Sequence, residues 1–499
     1  MNIIDNDLLS IQEARILAEN AAAAKKQLVG FSQEKLDAIV EGMLDAVLPH
    51  LEELALCSHE ETGYGRAEDK IAKNYFVCEA VRRRIRDMKC VGFLDEGADM
   101  YSMRVGVPLG VILALVPSTS PVSTTIFNAV IAVKAGNAVI FSPHPRAEKT
   151  IGRTLEILKT AACECGMPEH GISWLHTVGK EGTNTLIRHP AVNLVLNTGV
   201  PAFLKEINRS GKPLIYGGSG NGPAFIERTA DIRQAVSDII ESKTFDYGMV
   251  SAAEQSIVVE RCIEPEVKKE LIRQGAYFMS EQEAARLGAL LYNMDGTLNA
   301  EFVGISARRL AARAGFGTDP GVTVLIAEGK YALSDQPYNR EKLCPVLSYY
   351  IEDDWQDACE KCIELLFARN DGHTLVIHSS DHYVIRQFAL KKPVARVLVN
   401  TPATLGSMGV TTNLFPSMTL GSGVTGQGIT SENVSPMNLV YIRTVGIGIR
   451  DSSALRRHGG EKLMQLKEKR RSDNEERIHL VRQLLEEVLS DSINKNNGK

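Results

Sequence analysis

The chain has 499 residues, of which 44% are hydrophobic and 23% charged, and its formal net charge is -5. This is the composition of a soluble globular protein, its length predicts two or three domains, and its acidic balance argues against nucleic-acid binding. No apolar run reaches the ~20 residues that cross a bilayer, and the first residues lack the basic start of a signal peptide, so we expect a cytoplasmic protein without a membrane partner.

The predicted elements change in character along the chain. Residues 7–90 are predicted to be helical, because apolar residues recur at helical spacing in segments such as 36–47. From residue 104, apolar β-branched runs alternate with helical stretches, and a second alternation begins near residue 245. Strands that alternate with helices indicate parallel sheets covered on both faces. The predicted strands are 107–116, 138–141, 172–175, 192–196, 213–215, 256–259, 322–326, 374–378, 397–400 and 439–445.

The last segment differs from the rest of the chain. Residues 456–477 are rich in Lys and Arg, and Gly459 and Gly460 interrupt them near the start. Ser472 to Glu475 then form a capping-box pattern, after which apolar residues recur at helical spacing. This pattern predicts a basic linker followed by an amphipathic helix. Its apolar residues are Ile478, Val481, Leu485, Val488 and Leu489.

Two motifs match known signatures only in their letters. Gly421 to Gly426 fits G-x-G-x-x-G, but the residues after it do not start a helix, so we interpret it as a glycine-rich turn beside a site. Cys359 and Cys362 form a C-x-x-C in a helical run without a second pair, which favours packing thiols over a metal or redox site. The histidines have no metal-ligand spacing, so no metal site is predicted.

Two other segments are candidate functional sites. Val116 to Pro121 places small hydroxyl residues between a predicted strand and helix, where an ordinary capped turn and an anion- or oxyanion-binding crevice are equally consistent with the spacing. Phe245 to Gln255 places small residues around Ser251 just before a strand. Most serines in turns only form the turn, so the spacing alone favours a nucleophile weakly.

Several blocks occur together and in order, and they give these segments a context. Val107 to Ile112, Pro117 to Pro121 and Phe141 to Ala147 resemble the coenzyme A-acylating aldehyde dehydrogenases, which include acetaldehyde and propionaldehyde dehydrogenases of bacterial microcompartments. Ser242 to Gln255 resembles their nucleophile segment. The resemblance covers residues 8–447, and later blocks that match are 341–346, 372–374 and 431–434.

The resemblance implies an α/β, aldehyde dehydrogenase-like fold with a Rossmann-type nucleotide-binding domain, an α/β catalytic domain and a small oligomerisation arm. We therefore expect a homodimer or homotetramer. The expected divisions are 1–244 for nucleotide binding, with 401–435 as a candidate return to it, 245–400 for catalysis, 436–450 for the oligomerisation strand, and 451–499 for the linker and terminal helix.

The resemblance also implies a reaction. A cysteine thiolate attacks an aldehyde, hydride passes to NAD⁺, and coenzyme A takes the acyl group from the resulting thioester; the choice between NAD and NADP stays open. Hydrolytic relatives activate water with a glutamate, whereas the corresponding stretch here, Leu214 to Gly218, has no carboxylate. This departure favours coenzyme A over water as the acyl acceptor. Acetaldehyde and propionaldehyde are the expected substrates, with sulfoacetaldehyde or another functionalised aldehyde as the alternative.

Site residues are carried over by position. Ser251 stands where the family has its cysteine, and Ser120 stands where it usually has an asparagine that holds the oxyanion. His373 resembles the histidine near the thiol, with a buried structural imidazole as the alternative interpretation. Glu341 resembles the glutamate that holds the nicotinamide ribose. The residues that align with nucleotide-pocket segments are Ser118, Thr119, Ser142, His144, Asn197, Thr198 and Gly199.

Serine at position 251 is the main departure from the family. A hydroxyl ionises far less than a thiol of pKa ~8.5, so the enzyme is expected to be impaired. Three explanations are open: a Cys→Ser replacement made to trap a bound state, a natural chain with lost or altered activity, or a misplaced alignment in which Cys262 is the nucleophile. A rival of another class is a non-catalytic nucleotide-binding or scaffold protein of a microcompartment.

The segment after about residue 450 goes beyond the resembling region. A basic linker followed by a short amphipathic helix resembles the encapsulation peptides of microcompartment enzymes, so residues 472–490 are predicted to bind shell or cargo proteins. A helix that packs on its own subunit or caps an oligomer is the alternative. The expected location is therefore the cytoplasm, inside a bacterial microcompartment if the first interpretation is right.

Overall fold

The computed structural model describes residues 5–95, 101–367 and 373–496. The chain divides into two units, one made of residues 1–94 and 104–443 and the other of residues 95–103 and 444–499. Among the described residues, none of the helices combines the length and apolar character that crossing a membrane requires. Gly372, part of one quoted block, lies outside the described residues.

The N-terminal region is helical, as predicted. Ser32 caps the second helix, because its hydroxyl accepts a hydrogen bond from the Lys35 amide. Two short strands follow the helices. The elements are α1 Asn6–Leu28, α2 Gln33–Val47, α3 Leu51–Thr62, α4 Ala67–Phe76, α5 Arg82–Ile85, β1 Gly92–Phe93 and β2 Ser102–Pro108.

A five-stranded parallel sheet comes next, in the order β5-β4-β3-β6-β7. Every residue of β3, β4 and β6 is buried, because helices cover both faces of the sheet. The elements are β3 Val111–Leu115, α6 Pro121–Lys134, β4 Ala138–Ser142, α7 Glu148–Glu164, β5 Ile172–Trp174, α8 Lys180–Arg188, β6 Leu194–Thr198, α9 Leu204–Ser210 and β7 Leu214–Gly217.

A seven-stranded parallel sheet follows, in the order β10-β11-β12-β9-β8-β13-β14. Two parallel sheets confirm the predicted α/β class. The elements are β8 Pro223–Ile226, α10 Ile232–Thr244, β9 Ser256–Glu260, α11 Glu264–Arg273, β10 Ala276–Phe278, α12 Glu281–Leu291, α13 Ala307–Arg313, β11 Val324–Glu328, β12 Val346–Glu352, α14 Trp355–Phe367, β13 Thr374–His378, α15 His382–Lys391, β14 Arg396–Val399 and α16 Ala403–Met408.

The boundary between the two sheets differs from the expected division at residue 244. β8 pairs with β9 and β13, so the seven-stranded sheet already begins at Pro223. The four apolar residues of β8 are too few for a sequence periodicity that would assign them to one sheet or the other. Only their hydrogen-bonded pairing with β9 and β13 shows to which sheet they belong. Further along, the chain after residue 419 runs beside β7, where the Ile429 amide donates to the Leu214 carbonyl.

The C-terminal region contains β15 Val440–Gly446 and α17 Ser453–Asn496. β15 is the last strand of a three-stranded sheet in the order β1-β2-β15. The predicted linker is wrong, because α17 starts at Ser453 and continues through Gly459, Gly460 and the predicted start at Ser472. Two glycines cost about 2 kcal/mol relative to alanine, which a long run of Lys, Glu and Arg on either side can offset.

Candidate active site

The edges of the two sheets supply the candidate site. In the five-stranded sheet the strand order reverses between β3 and β6, and ligand crevices lie at the carboxyl ends of strands at such a point. Residues 117–120 follow β3, and Gly199 follows β6. From the seven-stranded sheet, Ser251 precedes β9 and His373 precedes β13, and these two strands flank β8.

A cavity of about 550 Å³ joins these edges. Both Ser251 and Ser120 line it, as do four of the predicted cofactor-binding residues. Its lining therefore combines the two candidate segments of the sequence, although Ser120 and Ser251 are 131 positions apart. The four cofactor-binding residues in the lining are Thr119, Thr198, Gly199 and Glu341.

His373 lies behind Ser251. The Ser251 Oγ is 3.4 Å from His373 Nε2, and His373 Nδ1 is 2.8 Å from the Thr374 hydroxyl. Burial, with a smaller contribution from Arg396, holds the pKa of His373 well below its usual value. The imidazole is therefore neutral at physiological pH. When its Nδ1 proton is donated to Thr374, Nε2 keeps a lone pair that accepts the proton of residue 251.

Ser120 occupies the N-cap position of α6, but its hydroxyl caps no helix amide. Instead the Lys73 ammonium donates to Ser120 Oγ at 2.6 Å. Lys73 Nζ also lies 2.5 Å from Asp246 Oδ2. A lysine of α4 thus connects the two segments that carry Ser120 and Ser251.

Asp246 is fully buried between cations. Burial by itself would raise its pKa, but Lys73 and Lys70, together with hydrogen bonds that include the Arg66 amide, hold the pKa below its usual value. Lys70 Nζ lies 3.4 Å from Asp246 Oδ2 and donates to the Thr119 carbonyl at 3.1 Å. Burial lowers the pKa of Lys70 to about 8, although Asp246 partly offsets this effect. The carboxylate is therefore charged and held at several points.

The backbone that leads to Ser251 is strained. Asp246 and Tyr247 have φ of 47° and 52°, in the left-handed region that side chains other than glycine rarely adopt, and Gly248 continues the turn at 71°. Such conformations cost about 1–3 kcal/mol each and persist only where the surroundings impose them. The hydrogen bonds to the Asp246 carboxylate and the bond from its amide to Asp69 supply that constraint.

The segment where hydrolytic relatives have a glutamate runs beside Ser251. Tyr216, Gly217 and Gly218 line the cavity without a carboxylate. Within the described part of the chain, Glu341 is the only carboxylate in the lining, and its Oε1 accepts a hydrogen bond from the Gly220 amide at 2.9 Å. No acidic side chain on this segment can therefore activate water.

The buried side chain of Lys342 holds the backbone that carries Arg340 and Glu341. The Lys342 ammonium donates to the carbonyls of Tyr338 and Arg340, which fixes the local backbone. Arg340 is the only cation among the described residues that line the cavity, and its guanidinium lies 4.7 Å from the Tyr292 ring. The cavity thus carries one cation and one anion on adjacent residues.

The remaining predicted site residues lie near the cavity or away from it. Ser118 is buried between two lining residues, and Asn197 holds the turn before Gly199 through bonds to the Val200 amide and carbonyl. Ser142 is the last residue of β4 and His144 lies just after that strand, and neither lines the cavity. The Ser142 hydroxyl bonds Thr183 at 2.8 Å, and His144 Nδ1 accepts from the Arg146 amide.

Three interpretations of motifs can be compared with the structure. Gly426 lines the cavity and only a short 3₁₀ turn, Val424–Gly426, occurs there, so the glycine-rich turn is confirmed. Cys359 and Cys362 are buried in the packing of α14. Cys262 is exposed beyond the carboxyl end of β9 and does not line the cavity, whereas Ser251 precedes the amino end and lines it, which argues against Cys262 as the nucleophile.

Sequence reasoning gave no role to Lys70, Lys73, Asp246 or Arg340. The two lysines are three positions apart and so lie on one helical face, which is the only local signal. Their partner Asp246 is more than 170 positions away in the sequence. Such a pairing becomes visible only in the folded chain.

Comparison with known proteins agrees with this geometry. Residues 6–294 match the aldehyde dehydrogenase family. The bifunctional aldehyde-alcohol dehydrogenase of Escherichia coli is 36% identical over 441 residues, which are 87% of this chain and 49% of that protein. The chain thus spans about half the length of the first curated relatives it matches.

Solved structures match over the full length of their chains. A probable aldehyde dehydrogenase of Listeria monocytogenes is 45% identical with a TM-score of 0.88, covering 91% of this chain and 100% of that one. An acetylating aldehyde dehydrogenase of Geobacillus thermoglucosidasius is 40% identical with a TM-score of 0.86, covering 90% and 99%.

Two more distant structures contain ligands. A propionaldehyde dehydrogenase of Rhodopseudomonas palustris with bound coenzyme A and an acylated cysteine is 27% identical, with a TM-score of 0.79, over 87% of this chain and 97% of that one. An engineered glycolyl-CoA reductase with bound NADP⁺ is 26% identical with a TM-score of 0.79, over 87% and 96%.

Proposed function

Because this chain belongs to the aldehyde dehydrogenase family, we propose that its scaffold interconverts a short-chain aldehyde, coenzyme A and NAD⁺ with acyl-CoA and NADH. The relatives support the acylating class, since one is an acetylating enzyme and another contains bound coenzyme A and an acylated cysteine. The NADP⁺ bound to a third keeps the choice of dinucleotide open.

The observation that carries the proposal is the make-up of the cavity around residue 251. His373 offers a neutral imidazole at hydrogen-bond distance, which suits a base for a nucleophile at that position. Tyr216, Gly217 and Gly218 present no carboxylate to activate water. An acyl group held at residue 251 is therefore released to a thiol more readily than to water.

The residues of the chain divide the work between binding and chemistry. Thr119, Thr198 and Gly199, at the reversal point of the five-stranded sheet, would hold the dinucleotide together with Glu341. A bound nicotinamide supplies the hydride acceptor. Residue 251 forms the bond to the aldehyde carbon, His373 accepts the proton of residue 251, and Ser120 donates a hydrogen bond to the carbonyl oxygen as negative charge develops there.

Serine at position 251 is the weak element of this arrangement. The Ser251 hydroxyl lies 3.4 Å from a neutral imidazole, and among the described residues the partner of His373 Nδ1 is the Thr374 hydroxyl and not a carboxylate. An ester at this position would also exchange with coenzyme A more slowly than a thioester. We therefore expect little turnover from the chain with Ser251.

The test is restoration of a thiol. Ser251→Cys should give NADH formation from acetaldehyde or propionaldehyde that depends on coenzyme A, at least about 100-fold faster than the chain with Ser251. Ser251→Ala is the matched control, because it removes only the hydroxyl and with it the nucleophile. Stopped assays measure NADH by absorbance and acyl-CoA by chromatography.

Two results would reject this proposal. Free acid formed by the Ser251→Cys chain without coenzyme A would reject the acylating assignment. Nucleotide binding without turnover of any aldehyde would favour the non-catalytic scaffold instead.

The substrates tested should also include anionic aldehydes, because Arg340 lines the cavity and a cation there can bind a carboxylate or sulfonate. The alternative substrate, sulfoacetaldehyde, carries such a sulfonate.

We also propose roles for the C-terminal elements. β15 is an edge strand whose side chains at Tyr441 and Ile442 are exposed, which suits pairing with a second copy in a homodimer or homotetramer.

α17 carries Ile478, Val481 and Leu485 on its surface, and each of these side chains is more than half exposed. Such an apolar stripe suits a shell or cargo protein of a bacterial microcompartment.

A further inference from the structure

The Ser120 hydroxyl is held in an unusual way. A serine at a helix N-cap normally accepts a hydrogen bond from an amide of the first turn, but Ser120 does not. Its oxygen accepts from the Lys73 ammonium at 2.6 Å. An ammonium has three donors and no acceptor, so this bond has only one direction, and the serine proton must point elsewhere.

We propose that Lys73 is a positioning residue that turns the Ser120 hydroxyl proton toward the aldehyde oxygen in the cavity, and that Asp246 locks Lys73 to the segment carrying residue 251. The inference rests on the proposed function, because it concerns the oxyanion of that reaction. Ser120 lines the cavity, whereas Lys73 is 1% exposed and lies behind it. Lys73 therefore acts through Ser120 and does not touch the substrate.

Two physical effects strengthen the serine as a donor. A cation that donates to a hydroxyl oxygen polarises its O–H bond, so the next hydrogen bond in the chain becomes stronger. The hydroxyl is also fixed before the substrate arrives, which removes the cost of reorienting it as charge develops. A serine that replaces an amide donor can in this way recover part of the missing stabilisation.

Asp246 gives the arrangement its rigidity. Its carboxylate bonds Lys73, Lys70 and the Arg66 amide, and the same residue adopts the strained φ of 47° five positions before Ser251. One buried carboxylate thus fixes both the lysine that orients Ser120 and the turn that carries the nucleophile. The two segments keep their relative position because they share this anchor.

The experiment is a double-mutant cycle in the full chain with Ser251→Cys. Ser120→Ala should lower kcat for acetaldehyde by about 100-fold, as loss of an oxyanion donor does, and Lys73→Met by at least about 10-fold with KM for NAD⁺ within about 3-fold. When residue 120 is already alanine, Lys73→Met should lower kcat less than it does beside Ser120, because only its effect through Asp246 remains. Lys73→Gln, which keeps a neutral donor, should retain more activity than Lys73→Met.

Lys70→Met is the matched control. Lys70 also contacts Asp246 and is equally buried, but it reaches the Thr119 carbonyl and not the Ser120 hydroxyl. Its loss should therefore lower kcat equally with and without Ser120. Circular dichroism establishes that each variant is folded, and Lys73→Gln replaces Lys73→Met in the cycle if the latter does not fold.

The outcomes separate this inference from the proposed function. The positioning role would be overturned if Lys73→Met and Ser120→Ala lowered kcat independently, so that the double variant showed the product of the two fold-losses. It would also be overturned if the effect of Lys70→Met on kcat depended on Ser120 in the same way as that of Lys73→Met. A Ser251→Cys chain without any coenzyme A-dependent turnover would overturn the proposed function, and this inference with it. The inference is supported if the loss of kcat is non-additive with Ser120→Ala for Lys73→Met but additive for Lys70→Met.

Discussion

At the scale of single residues, burial decides which form each titratable side chain takes. His373 is kept neutral by burial, so it offers a lone pair to residue 251. Asp246 is equally buried but stays charged, because two lysines surround it. The same low-dielectric surroundings thus yield a base in one place and an ionic anchor in another.

A second buried histidine provides a test of this reasoning. Burial lowers the pKa of His378 to about 4, and the Asp238 carboxylate lies 3.9 Å from its Nδ1. Below pH ~6.5 the unfolded chain binds a proton at this histidine that the folded chain does not bind. Its contribution to stability is therefore complete above that pH and is lost as the pH falls toward 4.

We accordingly expect His378→Gln to flatten the acid dependence of unfolding. The difference in the free energy of unfolding between the variant and the parent chain should change by up to roughly 1.4 kcal/mol per pH unit between pH 6 and 4.5. Urea unfolding measures this free energy at each pH. His458→Gln, at an exposed position of α17, is the control and should leave the slope unchanged. Parallel curves for His378→Gln and the parent would refute the stated sign.

At the scale of elements, the site lies at the amino ends of strands in the seven-stranded sheet and at the carboxyl ends of strands in the five-stranded sheet. Ser251, Gly220 and His373 precede β9, β8 and β13, three adjacent strands whose amino ends are aligned by parallel pairing. The segments must lie very close together. An added Cβ at Gly220 would lie 2.0 Å from the Ser251 carbonyl oxygen.

Gly220→Ala should therefore displace the turn that carries residue 251. We expect a loss of about 1–3 kcal/mol in the free energy of unfolding, the usual result of overpacking, and a larger loss of activity in the Ser251→Cys chain. Gly317→Ala is the matched control, because an added Cβ there meets nothing within 4 Å. An equal stability for the two variants, measured by urea unfolding, would contradict this close approach.

At the scale of the whole molecule, two units are distinguished by how their apolar residues are used. The unit of residues 1–94 and 104–443 contains the two parallel sheets, with their apolar residues buried. The unit of residues 95–103 and 444–499 contains α17, whose large apolar side chains are exposed as far as Leu485. Its surface is therefore the place to look for a protein partner.

The encapsulation proposal is tested on this helix. Replacing Ile478, Val481 and Leu485 with serine should abolish colocalisation with coexpressed shell proteins, while nucleotide affinity and circular dichroism stay unchanged, because these side chains are more than half exposed. The matched control replaces Glu476, His479 and Gln483, which are exposed on the same helix. Unchanged localisation of the apolar variant would eliminate the stripe as a shell-binding surface.

Much of the fold follows from local pattern. Sequence periodicity predicts the N-terminal helices, the α/β alternation and most strands. The strands are predictable because a parallel strand buried on both faces has a continuous run of apolar residues. The predicted strands do not include β1, β8, β10 or β12. The missed element of the tail, the first half of α17, shows the limit of single-residue signals, since Gly459 and Gly460 do not stop a helix with strong helix formers around them.

By itself, the sequence determined the fold class, the family and the two segments that hold Ser120 and Ser251, because ordered blocks and periodicity are local properties. Only the tertiary structure decided that Ser251 and His373 meet at 3.4 Å, that Cys262 lies elsewhere, and that Ser142 and His144 do not line the cavity. It also revealed the contact of Lys73 with Ser120 and Asp246. These depend on pairing between distant residues, which burial and charge enforce only once the chain is folded.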